Sequence, residues 1–200
     1  MTISKEGGFT TTELVVASLF AVIVLATLYG FYRDQLYNLL SQETKTATLE
    51  DARGALDLMV RELRNAGAWG SSSAPAGCAR FQAATATQVQ IQADLDGNGD
   101  CSSDASENVT YAYLSTATST CPAGRITRKG DCLVGNVVIP TGIDFLTYYG
   151  AGSTTPLTHP ISDYNAIKRV KITFAVQMQN PNPNARSANP NVSTTLSSSV

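Results

Sequence analysis

The chain has 200 residues, of which 43% are apolar and 15% charged, and its formal net charge is −2, an ordinary balance for a folded protein. No Lys/Arg block interrupts that near-neutrality, so the composition lacks the positive field of a dedicated nucleic-acid binder. The average hides an asymmetry: apolar residues crowd between Phe9 and Tyr32, while Gly, Ser, Thr, Asn and Pro dominate the second half.

Met1 to Gly8 is short and polar, contains Lys5 and ends in Gly7-Gly8. A secretory signal peptide places its cleavage site after the apolar core; here the glycines precede it, so a cut after Gly8 would leave the apolar segment on the mature chain. From Leu14 to Tyr32 no side chain is charged. Those nineteen residues span roughly 28 Å as a helix, close to the hydrocarbon thickness of a bilayer. Residues 9–32 are therefore expected to cross a membrane. Glu13 is the exception, a carboxylate beside an apolar run that is costly without a partner. In the first turn of a helix beginning at Phe9 it meets unpaired backbone N–H groups and the positive end of the helix dipole. After cleavage, the new amine at Phe9 of one subunit and Glu13 of its neighbour could neutralise each other and set an axial stagger.

The helical pattern continues past the membrane segment. Leu36, Leu40, Ala47, Ala52, Leu56, Met59 and Leu63 recur at helical spacings with charged residues between them, and Asn65, Gly67 and Gly70 supply stop signals. One helix over residues 9–66 is expected, half anchor and half scaffold. Gly30 marks either a flexible point or a packing contact.

After Gly70 the pattern changes to short β-branched and aromatic stretches divided by turn residues. Strands are expected at Arg80–Ala83, Gln88–Ala93, Asn108–Ser115, Arg125–Lys129, Leu133–Ile139, Ile143–Tyr149 and Ala166–Gln179. In the last, Ile167, Val170, Ile172, Phe174, Val176 and Met178 mostly alternate with polar residues, so one face should pack on the helix. The fold class is α+β, a long helix against an antiparallel sheet that forms a head over residues 67–179. In the 180–200 tail the Asn-Pro-rich run Asn180–Asn191 cannot sustain a regular ladder, and Thr194–Val200 is a short closing strand or a frayed end.

Two features of the head suggest sites. Asp94-Leu95-Asp96-Gly97-Asn98-Gly99-Asp100 places oxygen ligands at alternate positions with glycines between, as calcium loops do. Asp94, Asp96 and Asn98 would face the ion, Asp100 would add an oxygen, and Asp104 or Glu107 would close the sphere. An EF-hand has Glu at its twelfth position, where this chain has Ala105, and the competing reading is a polar turn that binds nothing. All four cysteines lie beyond the apolar segment, which favours disulfides in an oxidising space. Of the three possible pairings, Cys78–Cys101 with Cys121–Cys132 closes the shorter loops. Zinc is the weaker alternative, since there is no CxxC and the single histidine, His159, precedes Pro160. His159, Trp69, Tyr148 and Tyr149 fit surface loop or core better than contact sites. With one histidine, no GxSxG and no SxxK, no catalytic constellation is present and no enzyme activity is expected.

The segment GGFTTTELVVASL resembles the type III prepilin signal of type IV pilins and type II secretion pseudopilins: Gly, an aromatic residue, then Glu at the fifth mature position. VRELRNAG at the helix end, FQAATATQVQIQADLDGNGD and NVTYAYL together are similar to the PilW-like minor pilins and the GspJ-type pseudopilins, over most of the chain to about Gln179. The chain departs at its tail, where such proteins often continue past a Ser-rich strand to an Arg-Asn ending. The resemblance implies a pilin-like fold, cleavage between Gly8 and Phe9 by a prepilin peptidase, N-methylation of Phe9 and subunit docking through Glu13. It further implies a single-pass bacterial inner-membrane precursor that joins a periplasmic or extracellular filament, with other minor and major pilins and an inner-membrane assembly platform as partners. A minor pilin that primes or caps a type IV pilus is the expected function; a type II secretion pseudopilin and a membrane-anchored calcium-dependent adhesin are the alternatives.

Overall fold

A computed structural model of the chain describes residues 8–70, 73–101, 104, 106–117, 121, 123–179 and 191–200. The expected leader, apart from Gly8, and the tail from Asn180 to Pro190 lie outside the described residues.

Helix α1 runs from Thr11 to Asn65, about 82 Å at 1.5 Å per residue. Thr10 caps it in extended backbone, and the pairing is reciprocal. The Glu13 N–H donates to Thr10 Oγ1 at 3.3 Å, while the Thr10 N–H donates to Glu13 Oε2 at 2.9 Å. Two otherwise unpaired N–H groups are thereby satisfied, as in a capping box. At the other end Gly67 takes positive φ and its N–H donates to Gln92 O at 2.8 Å, which turns the chain from the helix towards the head.

Five strands form a meander in the first sheet: β1 (Phe81–Ala84), β2 (Gln88–Gln92), β3 (Asn108–Leu114), β4 (Arg125–Arg128) and β5 (Asp131–Gly135), hydrogen-bonded in chain order. The second sheet comprises β6 (Val137–Val138), β7 (Leu146–Tyr149), β8 (Arg169–Gln179) and β9 (Asn191–Ser199). β9 pairs with β8 from Lys171 to Gln179, and β6 and β7 pair with separate stretches of β8, which sets them in succession along its other edge. All the pairings are antiparallel.

Two sheets thus replace the single one expected. The run Leu133–Ile139 is not one strand but β5 and β6, because Asn136 adopts φ of 56° and turns the chain out of the first sheet into the second. Gly124 permits the crossing: the Val137 carbonyl lies where its Cβ would be, and the Val137 N–H donates to Gly124 O at 2.8 Å. A side chain there would force the two sheets apart. Ala166 falls in a 3-10 turn, Tyr164–Ala166, ahead of β8. The closing strand is formed and begins at Asn191, earlier than expected.

The core is one cluster shared by all three layers. From α1 come Ala52, Ala55, Leu56, Met59 and Leu63; from the first sheet Val89, Val109, Tyr111 and Ile126; from the second Tyr148, Ile172, Phe174 and Val176. Each large side chain so buried contributes about 1.5–3 kcal/mol. Leu36, Leu40 and Ala47, expected on the same stripe, are exposed, because the head reaches only the last turns of α1. The alternation along β8 is also incomplete, since Thr173 and Ala175 between the core residues are buried too.

Candidate functional site

The first part of α1 leaves a long apolar surface uncovered. No residue from Phe9 to Asp51 is buried, and Leu14, Leu19, Phe20, Leu25, Leu28 and Phe31 each expose more than half of their surface. Among the described residues α1 is the one helix long and apolar enough to cross a membrane. Phe9 is 89% exposed and Gly8 has open space around it. Glu13 uses one carboxylate oxygen, Oε2, for both the N–H and the hydroxyl of Thr10, and among the described residues Oε1 takes no part in the capping box.

In the head, the Asp-rich segment folds back on itself through backbone donors. Asp94 is buried, and its Oδ1 and Oδ2 accept from Gly97 N–H at 2.7 Å and Gly99 N–H at 3.1 Å. Both glycines have positive φ, near 76° and 80°, which aims their N–H groups inward at little steric cost. Glu107 is almost wholly buried, and its Oε1 accepts from the N–H groups of Leu95 and Asp96 at 2.9 and 3.3 Å. Such bonds hold buried carboxylates that would otherwise be expensive to desolvate.

Oxygens of Asp94, Asp96 and Glu107 converge within 4.8 Å of one another. These are three of the six residues expected to bind calcium. Asn98 turns instead towards its neighbours, donating through Nδ2 to Asp96 at 2.9 Å and accepting from Asp100 N–H at 2.7 Å. Asp104 caps a local turn, accepting from Ser106 N–H, and neither Asp100 nor Asp104 belongs to the convergent group. The donors fit a hard cation in kind, because calcium takes carboxylate and carbonyl oxygens. A small cavity of about 160 Å³ opens beside the cluster between α1 and β2, lined by Arg61, Glu62, Asn65, Gln92 and Glu107 among others.

Two disulfides brace the head, one of them beside this segment. Cys78 is bonded to Cys101, next to Asp100, and Cys121 to Cys132, with Cα separations of 6.0 and 5.9 Å. No cysteine is free, so no thiolate remains for zinc.

One polar cluster had no signal in the sequence. Glu62 on α1 accepts from the guanidinium of Arg128 on β4 at 2.8 and 3.1 Å and from the hydroxyl of Tyr111 on β3 at 2.6 Å. Its bond to Glu62 raises the Arg128 pKa, and burial followed by the same carboxylate pushes the Tyr111 hydroxyl well above the usual tyrosine range. The cluster bolts the helix to the first sheet. Tyr148 is core, donating to the Thr85 and Gln88 carbonyls; His159 is exposed, its ring set edge-on 5.6 Å from that of Tyr148. Trp69 and Tyr149 are half-buried.

Compared with protein-family models, curated proteins and solved structures, the chain matches none.

Proposed function

We propose that the protein is an assembly subunit of a type IV filament, a PilW-like minor pilin that primes or caps a pilus after processing at Gly8–Phe9. The observation that carries this reading is the unburied start of α1, which as far as Tyr32 is an apolar cylinder with a single carboxylate, Glu13. A helix of this kind is at home in a bilayer or among other helices like it. Glu13 Oε1, unused by the capping box, is the acceptor available to the amine of a neighbouring processed chain. The disulfide-braced head fits an oxidising periplasmic or extracellular space.

Intact mass and N-terminal sequencing of the protein from cells with and without prepilin peptidase test the reading directly. A peptidase-dependent start at Phe9 supports it, and a methyl group on that amine strengthens it. A start at Met1 in both strains, or cleavage beyond Tyr32, sinks it. Glu13→Ala separates this reading from a tethered adhesin, for which the anchor should tolerate the change; a filament subunit should lose incorporation. Gene neighbourhood would distinguish a pilus subunit from a type II secretion pseudopilin.

The convergence of Asp94, Asp96 and Glu107 favours a second element of the reading, a calcium ion at that cluster that stiffens the loop. Extracellular sites of this kind bind with dissociation constants of about 10⁻⁴–10⁻³ M, so calcium at ten times that value should stabilise the head by about 1.4 kcal/mol. Thermal unfolding with and without calcium checks this, and Asp96→Ala, at an exposed position, should abolish the shift. An identical Tm in calcium and in chelator removes the ion from the account.

A further inference from the structure

Alternation along β8 sends Ile172, Phe174 and Val176 into the core and leaves Arg169 and Lys171 exposed on the opposite face, with Thr173 on that side but buried. The pairing register extends that face across three strands. Tyr149 lies opposite Arg169 and Thr147 opposite Lys171 on β7, while Ser199 lies opposite Lys171 and Ser197 opposite Thr173 on β9. Directly paired residues share a face, so two cations sit within a field of hydroxyls. A groove of about 330 Å³ follows this surface, lined by Tyr149, Arg169, Lys171, Ser197 and Ser199, none of them acidic.

Arg169 is already oriented: its guanidinium lies 4.2 Å from the centroid of the Tyr149 ring and donates to Ser153 O at 3.1 Å. Those contacts use only part of the fork of five donors and fix the remainder at the groove. Lys171, Ser197 and Ser199 are exposed. Thr173 Oγ1, beside Lys171 in the alternation, is the one buried side-chain polar atom without a hydrogen-bond partner among the described residues.

We infer that this face binds an acidic saccharide, a sugar chain bearing carboxylates, and that it does so independently of assembly through α1. Charge complementarity selects an anion, since carboxylates pair with Arg through charge-assisted hydrogen bonds and with Lys as a point charge. The serine hydroxyls both donate and accept, as sugar hydroxyls require. The groove lies at the small end of ligand clefts, roughly 300–1,000 Å³, suited to one or two sugar units of a longer chain. A nucleic acid fits less well: two cations neutralise few phosphates, and Arg169 covers the Tyr149 ring face that a base would stack on.

The test uses the full chain in nanodiscs of neutral phosphatidylcholine, titrated calorimetrically with oligogalacturonate. Maltooligosaccharide, oligothymidylate and inorganic sulfate serve as comparisons. Saturable binding of oligogalacturonate is expected, weakened by added salt and by roughly tenfold in Lys171→Gln, the loss of one charged hydrogen bond. Ser197→Ala/Ser199→Ala should weaken it further, and neither variant should change the thermal midpoint. Absence of saturable binding, equal affinity for maltooligosaccharide, oligothymidylate or sulfate, or indifference to Lys171→Gln would each overturn the assignment.

Discussion

The two halves of α1 share a backbone geometry and differ in everything that stabilises it. From Ala52 to Leu63 the helix lays five apolar side chains into a core built with both sheets, and Glu62 ties it to Tyr111 and Arg128. From Thr11 to Asp51 no side chain is buried; Leu49 packs partly against the core, and the Thr10–Glu13 capping box supports the start. Packing rather than propensity stabilises most protein helices. The first half is therefore a helix in search of a solvent or a partner, whereas the second is complete within the chain.

The sharpest way to break this contrast is a matched pair of truncations. Leu63→Ala should cost the head about 2–5 kcal/mol through lost burial and the cavity left behind, read as a lower thermal midpoint. Leu25→Ala should leave that midpoint unchanged; a fall would mean that the two halves unfold as one unit. Removing the Cys78–Cys101 bridge by Cys78→Ser/Cys101→Ser should cost about 2–4 kcal/mol, the expected entropy of a loop of that length. The change should loosen the Asp94–Glu107 segment before the rest of the head, as hydrogen exchange would register.

Glu62→Gln asks how far the bolt between helix and sheet matters. Leaving Arg128 without its carboxylate partner should cost about 1–3 kcal/mol, smaller than the core truncation; a larger loss would make this cluster, rather than Leu63 and its neighbours, the chief attachment of the helix. The gentlest probe is alkaline pH. Burial raises the pKa values of the Tyr148 and Tyr111 hydroxyls, with smaller contributions from Tyr164 and Glu62 respectively. A folded pKa above the unfolded value means that the folded state retains protons the unfolded state releases, so stability is intact below about pH 10 and declines above it. Circular dichroism across that range should show the decline, and Tyr148→Phe should flatten it.

Local sequence physics determined much of this protein. An uncharged apolar run and a Gly after Asn65-Ala66 define where α1 lies and where it stops, while its start, expected at Phe9, falls at Thr11 behind the Thr10 cap. Alternation and turn residues locate most strands to within a few positions. The short Cys78–Cys101 and Cys121–Cys132 closures were the favoured pairs, and they are the bonds formed in the structure. Four things were decided only in three dimensions. The head divides into two sheets because Asn136 takes positive φ and Gly124 lets the Val137 carbonyl approach, whereas the surrounding residues read as one strand. Three of the six calcium-type residues converge because Leu95, Asp96, Gly97 and Gly99 present N–H groups to Glu107 and Asp94, an arrangement that composition does not encode. Glu62 meets Arg128 across 66 positions of sequence, and Arg169 and Lys171 gain their hydroxyl neighbours from β7 and β9 only through strand register. Periodicity and capping act within a few residues and are legible in one dimension. Register and convergence depend on which distant segments come together, so the interior polar contacts and the outer face of β8 emerge only from the packed structure.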